Sequence, residues 1–171
     1  MRGTIGRLLA SCACVTAAAA AQAQVSDDVV RIGVLTDMSG IYSDLAGEGA
    51  VEAVRMAAED FGGEVLGAPI EVIFSDHLNQ ADTAAAKARE WFDVEGVDMI
   101  NDLSNSGAAL AVAAVAKEAQ RHIIVNGASN IGITNDMCSP YAIHYAYDAY
   151  SLAHGTGKAV VGDGGLNWFF L

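Results

Sequence analysis

The chain has 171 residues, 53% hydrophobic and 18% charged, which suffices for a packed domain and argues against disorder. Its formal charge is −12, from 9 basic and 21 acidic residues. Such a surface repels nucleic acid and anionic membranes, so neither is an expected partner.

Residues 1–23 read as a secretory signal. Arg2 and Arg7 form a positive n-region, Leu8 to Ala21 an apolar h-region, and Ala21-Gln22-Ala23 meets the small-x-small cleavage rule. Export with a mature start near Gln24 is therefore expected. Leu9-Ala10-Ser11-Cys12 has the form of a lipoprotein box, but almost no apolar run precedes the cysteine, so lipid anchoring is not expected. With the signal removed, only Cys138 remains, and no internal disulfide can form.

Val29 to Leu35 is apolar on both faces, as in a covered central strand. A polar turn from Asp37 to Gly47, containing Tyr42, leads into a helix. Ala50, Ala53, Val54, Ala57, Ala58 and Phe61 recur at helical spacing and are its expected inner face. Gly62-Gly63 stops it. Leu66-Gly67-Ala68-Pro69 reads as a tight turn, and Ile70 to Ser75 as the second strand, ending at Asp76. Asn79-Gln80-Ala81-Asp82 opens a helix to about Phe92, with Ala84, Ala85, Ala88, Trp91 and Phe92 inward.

Val97 to Asp102 is the third strand. The turn Leu103 to Gly107 precedes a helix over Ala108 to Gln120, with Ser106 as its expected N-cap. His122 to Asn126 is the fourth strand, ending in Gly127-Ala128-Ser129-Asn130. Ile131 to Pro140 is irregular with one helical turn, and Tyr141 to His144 is a fifth strand. Tyr145 to Tyr150 enters a helix reaching about Val161, which Gly162 to Gly165 breaks. Trp168 to Leu171 has the character of a buried strand without a polar tail, which predicts a fragment ending where a second domain begins. Strands alternating with helices define an α/β fold with a parallel sheet and helices on both faces.

Several chemistries lack their motifs. The first strand-helix turn has no G-x-G-x-x-G and no Walker lysine, which excludes the usual nucleotide cradles. Gly127 to Gly132 has one residue too many for a nucleophile elbow. His77, His122, His144 and His154 are scattered, and Cys138 with His144 has no ligand spacing, so neither metal nor cofactor is expected. What remains is small donors at strand ends. Asn105 and Ser106 precede a helix whose free N–H groups attract carboxylates, and Ala128 and Ser129 follow the next strand. Tyr42 offers an aromatic wall. Their shared place at one sheet edge points to a small anionic ligand.

Arg31 to Gly40 resembles the opening of the branched-chain amino acid (Leu/Ile/Val-binding) type of solute-binding protein, which serves ABC importers. Asp76, Ser104-Asn105-Ser106 and Gly127-Ala128-Ser129 recur in that family's order. The resemblance covers Val29 to Leu171. It implies a type I periplasmic binding protein, with two Rossmann-like lobes closing on a solute and no catalysis. Residues 24–144 would be the N-terminal lobe, and 145–171 the hinge crossing and the start of a truncated second lobe. Asn105, Ser106, Ala128 and Ser129 would then hold a ligand carboxylate, Tyr42 would form the apolar wall, and Tyr150 would line the cleft. The implied partners are a small anionic organic solute and ABC permease subunits. The implied location is the periplasm, and the implied full-length state is a monomer. The wording of the turns is closer to members that take aromatic or other organic acids. The same fold also serves ligand-sensing ectodomains, and an α/β enzyme is the remaining alternative.

Overall fold

The computed structural model describes residues 27–169. The expected signal at 1–23 lies outside them. Six strands form one sheet: β1 (Val30–Thr36), β2 (Glu64–Val65), β3 (Ala68–Asp76), β4 (Met99–Asp102), β5 (His122–Val125) and β6 (Ala142–His144). The order is β2-β3-β1-β4-β5-β6. Every pairing is parallel except the antiparallel β2–β3 hairpin. The α/β class with a Rossmann-like parallel sheet is as expected.

The helices are α1 (Gly47–Phe61), α2 (Ala81–Asp93), α3 (Ser106–Ala119) and α4 (Ala149–Gly162). The α1 crossover runs from β1 outward to β3, while the α2 and α3 crossovers run the opposite way along the sheet. Right-handed crossovers in opposite directions must lie on opposite faces. Side-chain packing agrees. Leu35, Ile100, Ile123 and Val125 join Trp91, Phe92, Val112 and Ala116 of α2 and α3 in one buried cluster. On the other face, the Gly47 N–H donates to Thr36 Oγ1 at 3.1 Å, which seats α1.

Four expectations need correction. Glu64–Val65 is a short edge strand, and Ala68–Pro69 belongs to β3, so the turn is only Leu66–Gly67, both at positive φ. A proline is tolerated there because the strand is at the border. The inner face of α1 is not the one expected: only Gly47 and Val51 are buried, while Ala53, Ala57 and Phe61 are exposed. No second helix lies beside α1 on that face among the described residues, so the flank carrying Phe61 has nothing to bury against. α3 begins at Ser106, two residues earlier than expected. Trp168 and Phe169 form no strand, and Phe169 is 85% exposed. Phe170 and Leu171 lie outside the described residues. None of the described helices is long and apolar enough to cross a membrane.

Candidate functional site

The crossovers reverse direction at β1. In such sheets the crevice forms at the carboxyl ends of the strands flanking the reversal, here β1 and β4. Four turns meet along this rim, and each is shaped by its own polar residues. After β1, the fully buried Asp37 carboxylate accepts the Gly40 and Tyr42 N–H groups at 2.9 and 3.0 Å. This folds the loop that carries Tyr42. After β3, Asp76 Oδ1 accepts the Met38 and Leu78 N–H groups, and Oδ2 accepts from Ser39 Oγ at 2.6 Å. Asp76 therefore ties the first turn to the second. Burial alone would raise its pKa, but the Ser39, Leu78 and Met38 hydrogen bonds hold it below the ordinary carboxylate value.

The turn after β4 is joined to both neighbours. Asn105 is the N-cap of α3: its Oδ1 accepts the Ala108 N–H at 2.8 Å, and its Nδ2 donates to Asn79 Oδ1 in the turn after β3. Ser106, the expected cap, is the first helical residue instead. Both residues are good caps, and the extended backbone falls at Asn105. On the other side, a Cβ on Gly127 would sit 3.0 Å from Ser104 Cα, so a larger residue there would push the β4 and β5 turns apart by a few tenths of an ångström. The Asn126 N–H donates to the Asp102 carbonyl at 2.8 Å.

The turn after β5 is clamped in the same way. His144 Nε2 lies 2.6 Å from the Ala128 carbonyl, and the Ala149 N–H donates to the Ser129 carbonyl at 2.8 Å. That second bond brings the start of α4 against Ser129. Tyr150 follows, 62% exposed and stacked on His154 with ring centroids 4.0 Å apart. All six residues singled out from the sequence therefore lie on turns or helix starts at one rim. Tyr42, Asn105, Ser106 and Ser129 are half-buried, Ala128 is buried and Tyr150 is exposed. The Oγ atoms of Ser106 and Ser129 make no hydrogen bond among the described residues. The groups the sequence did not single out are Asp37, Asp76, His77 and Asn79, which build the turns.

Three buried polar atoms on this rim have no hydrogen-bond partner among the described residues: His77 Nε2, Asp102 Oδ2 and Ser104 Oγ. Desolvation lowers the His77 pKa against the pull of Asp37 and Asp76. Burial raises that of Asp102, partly offset by the Thr36 hydroxyl. Asp37, Asp76 and His77 each offer an atom within 4.8 Å of the others, close enough for a cation. The tautomer argues against one. His77 Nδ1 accepts the Asn79 N–H at 3.0 Å, so in the neutral ring Nε2 carries the proton and has no lone pair to give. A separate groove of about 570 Å³ lies between α1 and β3, lined by Met38, Glu48, Glu52, Arg55 and Phe74. Its one cation, Arg55, is paired with Glu52 and sits over the Phe74 ring, so the walls do not favour an anion.

The family model described as periplasmic binding protein matches residues 29–171. The chain belongs to the periplasmic binding protein family. A solved periplasmic binding protein from Burkholderia mallei is 52% identical, with a TM-score of 0.79 over 81% of this chain and 37% of its own. A branched-chain amino acid ABC transporter periplasmic ligand-binding protein from Burkholderia xenovorans is 40% identical, with a TM-score of 0.75 over 79% of this chain and 36% of its own. A solute-binding protein of an ABC transporter from Rhodopseudomonas palustris, solved with benzoate, is 25% identical, with a TM-score of 0.73 over 80% of this chain and 38% of its own. No curated protein matches the chain. This periplasmic binding protein chain therefore spans a little over a third of the length of these solved relatives.

Proposed function

We propose that this chain supplies the first lobe of an exported solute receptor. The receptor captures a small carboxylate, of the aromatic-acid or amino-acid kind, and delivers it to the permease of an ABC importer from the periplasm. The observation that carries the reading is the pair of touching turns after β4 and β5. In this reading they offer the Ser106 and Ser129 hydroxyls and the Ser106 and Gly107 N–H groups of the first turn of α3 to one carboxylate. N–H groups at a helix start carry partial positive charge and suit an anion. This matters in a chain of net charge −12, where a carboxylate needs a local exception to the acidic field.

In this reading Ser106, Ala128, Ser129 and the Asn105 cap hold the carboxylate, Tyr42 walls the apolar side, and Tyr150 closes the side toward α4. Residues 145–171 form the crossing toward a second lobe. A solute that touches both lobes stabilises the closed state, which is the state a permease can distinguish. The relative solved with benzoate and the one described as a branched-chain amino acid binder support the ligand class.

The test is calorimetric titration of the complete receptor containing this chain with benzoate, 4-hydroxybenzoate and leucine. One of these should bind, and Ser129→Ala should weaken it by about 1 kcal/mol, the worth of one hydrogen bond. Heat from none of the three acids, or an unchanged affinity in Ser129→Ala, would count against the assignment.

A further inference from the structure

The turns after β3 and β4 are joined by a single side-chain pair, and its donor is the cap of α3. Asn79 Oδ1 accepts from Asn105 Nδ2. Asn79 reaches this position through an unusual backbone. Leu78 and Asn79 both lie in the left-handed region, at φ 53° and 55°. Three bonds hold them there: Leu78 N–H to Asp76 Oδ1, Asn79 N–H to His77 Nδ1, and Gln80 N–H to the His77 carbonyl. Asparagine tolerates this conformation better than most residues, and strain kept at a rim of this kind usually serves placement.

The Asn105 amide is consequently used at both ends. Its oxygen caps α3 through the Ala108 N–H, and one amide hydrogen goes to Asn79. The cap needs only the oxygen, so the helix would form without Asn79. What Asn79 adds is direction for the remaining Nδ2 hydrogen. We propose that Asn79 is a positioning residue of the anion site: it sets the Asn105 amide so that its second Nδ2 hydrogen and the first-turn N–H groups of α3 face the solute carboxylate together. This rests on the carboxylate reading above.

The experiment is NMR on the complete receptor containing this chain, ¹⁵N-labelled and titrated in turn with benzoate, 4-hydroxybenzoate and leucine. Two readouts are followed: the two Asn105 Nδ2 protons, and the Ser106, Gly107 and Ser129 amides. Asn79→Gly keeps the left-handed backbone and deletes only the side chain. It should move the Asn79-bonded Nδ2 proton of Asn105 toward the shift of a free side-chain amide, leave the remaining spectrum folded, and weaken the acid that binds about fivefold, the factor for one hydrogen bond. Asn79→Asp retains the acceptor oxygen and should leave that proton at its hydrogen-bonded shift, which also serves if the glycine variant fails to fold. Asn105 Nδ2 shifts that are unchanged in Asn79→Gly, or a moved Nδ2 proton with unchanged affinity for that acid, overturn the proposal. If none of the three acids moves an amide of the unsubstituted receptor, the carboxylate reading fails by itself. The Asn105 pair then still decides whether Asn79 orients the cap.

Discussion

The two faces of the sheet are built differently. Under α2 and α3, Leu35, Ile100, Ile123 and Val125 meet Trp91, Val112 and Ala116, and each is 2% exposed or less. Under α1, the helix buries only Gly47 and Val51, while Phe61 is 68% exposed. Ile143, level with Ile124 on that same face, is 49% exposed. The difference teaches that helical periodicity shows which flank of a helix is apolar, not whether a neighbour exists to cover it. Cohesion of the described lobe comes mainly from one side, and the crevice turns are attached to that side through α3.

The comparison can be broken most directly by truncation on each face. Ile100→Ala opens a cavity in the closed face and should cost about 2–5 kcal/mol, while Phe61→Ala should stay within about 0.5 kcal/mol. Urea unfolding of the two variants measures both, and a Phe61→Ala cost near that of Ile100→Ala would erase the distinction. A second contrast uses glycines. A Cβ on Gly33 would lie 2.5 Å from the Trp91 ring, whereas one on Gly49 of α1 meets nothing within 4 Å. Gly33→Ala should therefore destabilise by about 1–3 kcal/mol, and Gly49→Ala should stabilise by roughly 0.5–1 kcal/mol through helix propensity. Thermal melts showing the same sign for both would contradict the packing difference.

The smallest effect sharpens the comparison at the rim. The buried His77 has a pKa below its ordinary 6.5 because desolvation outweighs Asp37 and Asp76. The unfolded chain thus takes up a proton that the folded chain refuses. Stability from this group is fully present above about pH 6.5 and falls as the pH drops below it, until the folded-state pKa is reached. Urea midpoints at pH 7.5 and 5.5 should separate less in His77→Asn than in the unsubstituted chain. An equal separation would show that His77 carries no such linkage.

Much of the fold is readable in the chain because local signals agree. The apolar run of β1, the Trp91–Phe92 spacing of α2 and the Gly62-Gly63 stop after α1 each mark an element without help from distant residues. Where the reading slips, the missing information is non-local. Glu64–Val65 is a strand only because β3 folds back beside it, and two residues carry no period. Asn105 and Ser106 are equally good caps until the backbone chooses between them. The candidate site divides the same way. Donors such as Ser106 and Ser129 are visible from their position after strands. Two of the ties between turns, Asn79 with Asn105 and Asp76 with Met38, act across gaps of 26 and 38 positions, and no spacing rule reports them.

The border of the sheet at β3 has a further consequence. β2 pairs only with Ala68 and Pro69, so most of β3 is laddered on one side alone among the described residues. An open row of backbone donors and acceptors is a template on which a second molecule can grow a fibril. One feature blunts it: Glu71, ion-paired with Arg31 at 2.7 Å, places a charge on the strand. A charge at such a position is the kind of gatekeeper that opposes the polymerisation of strand edges.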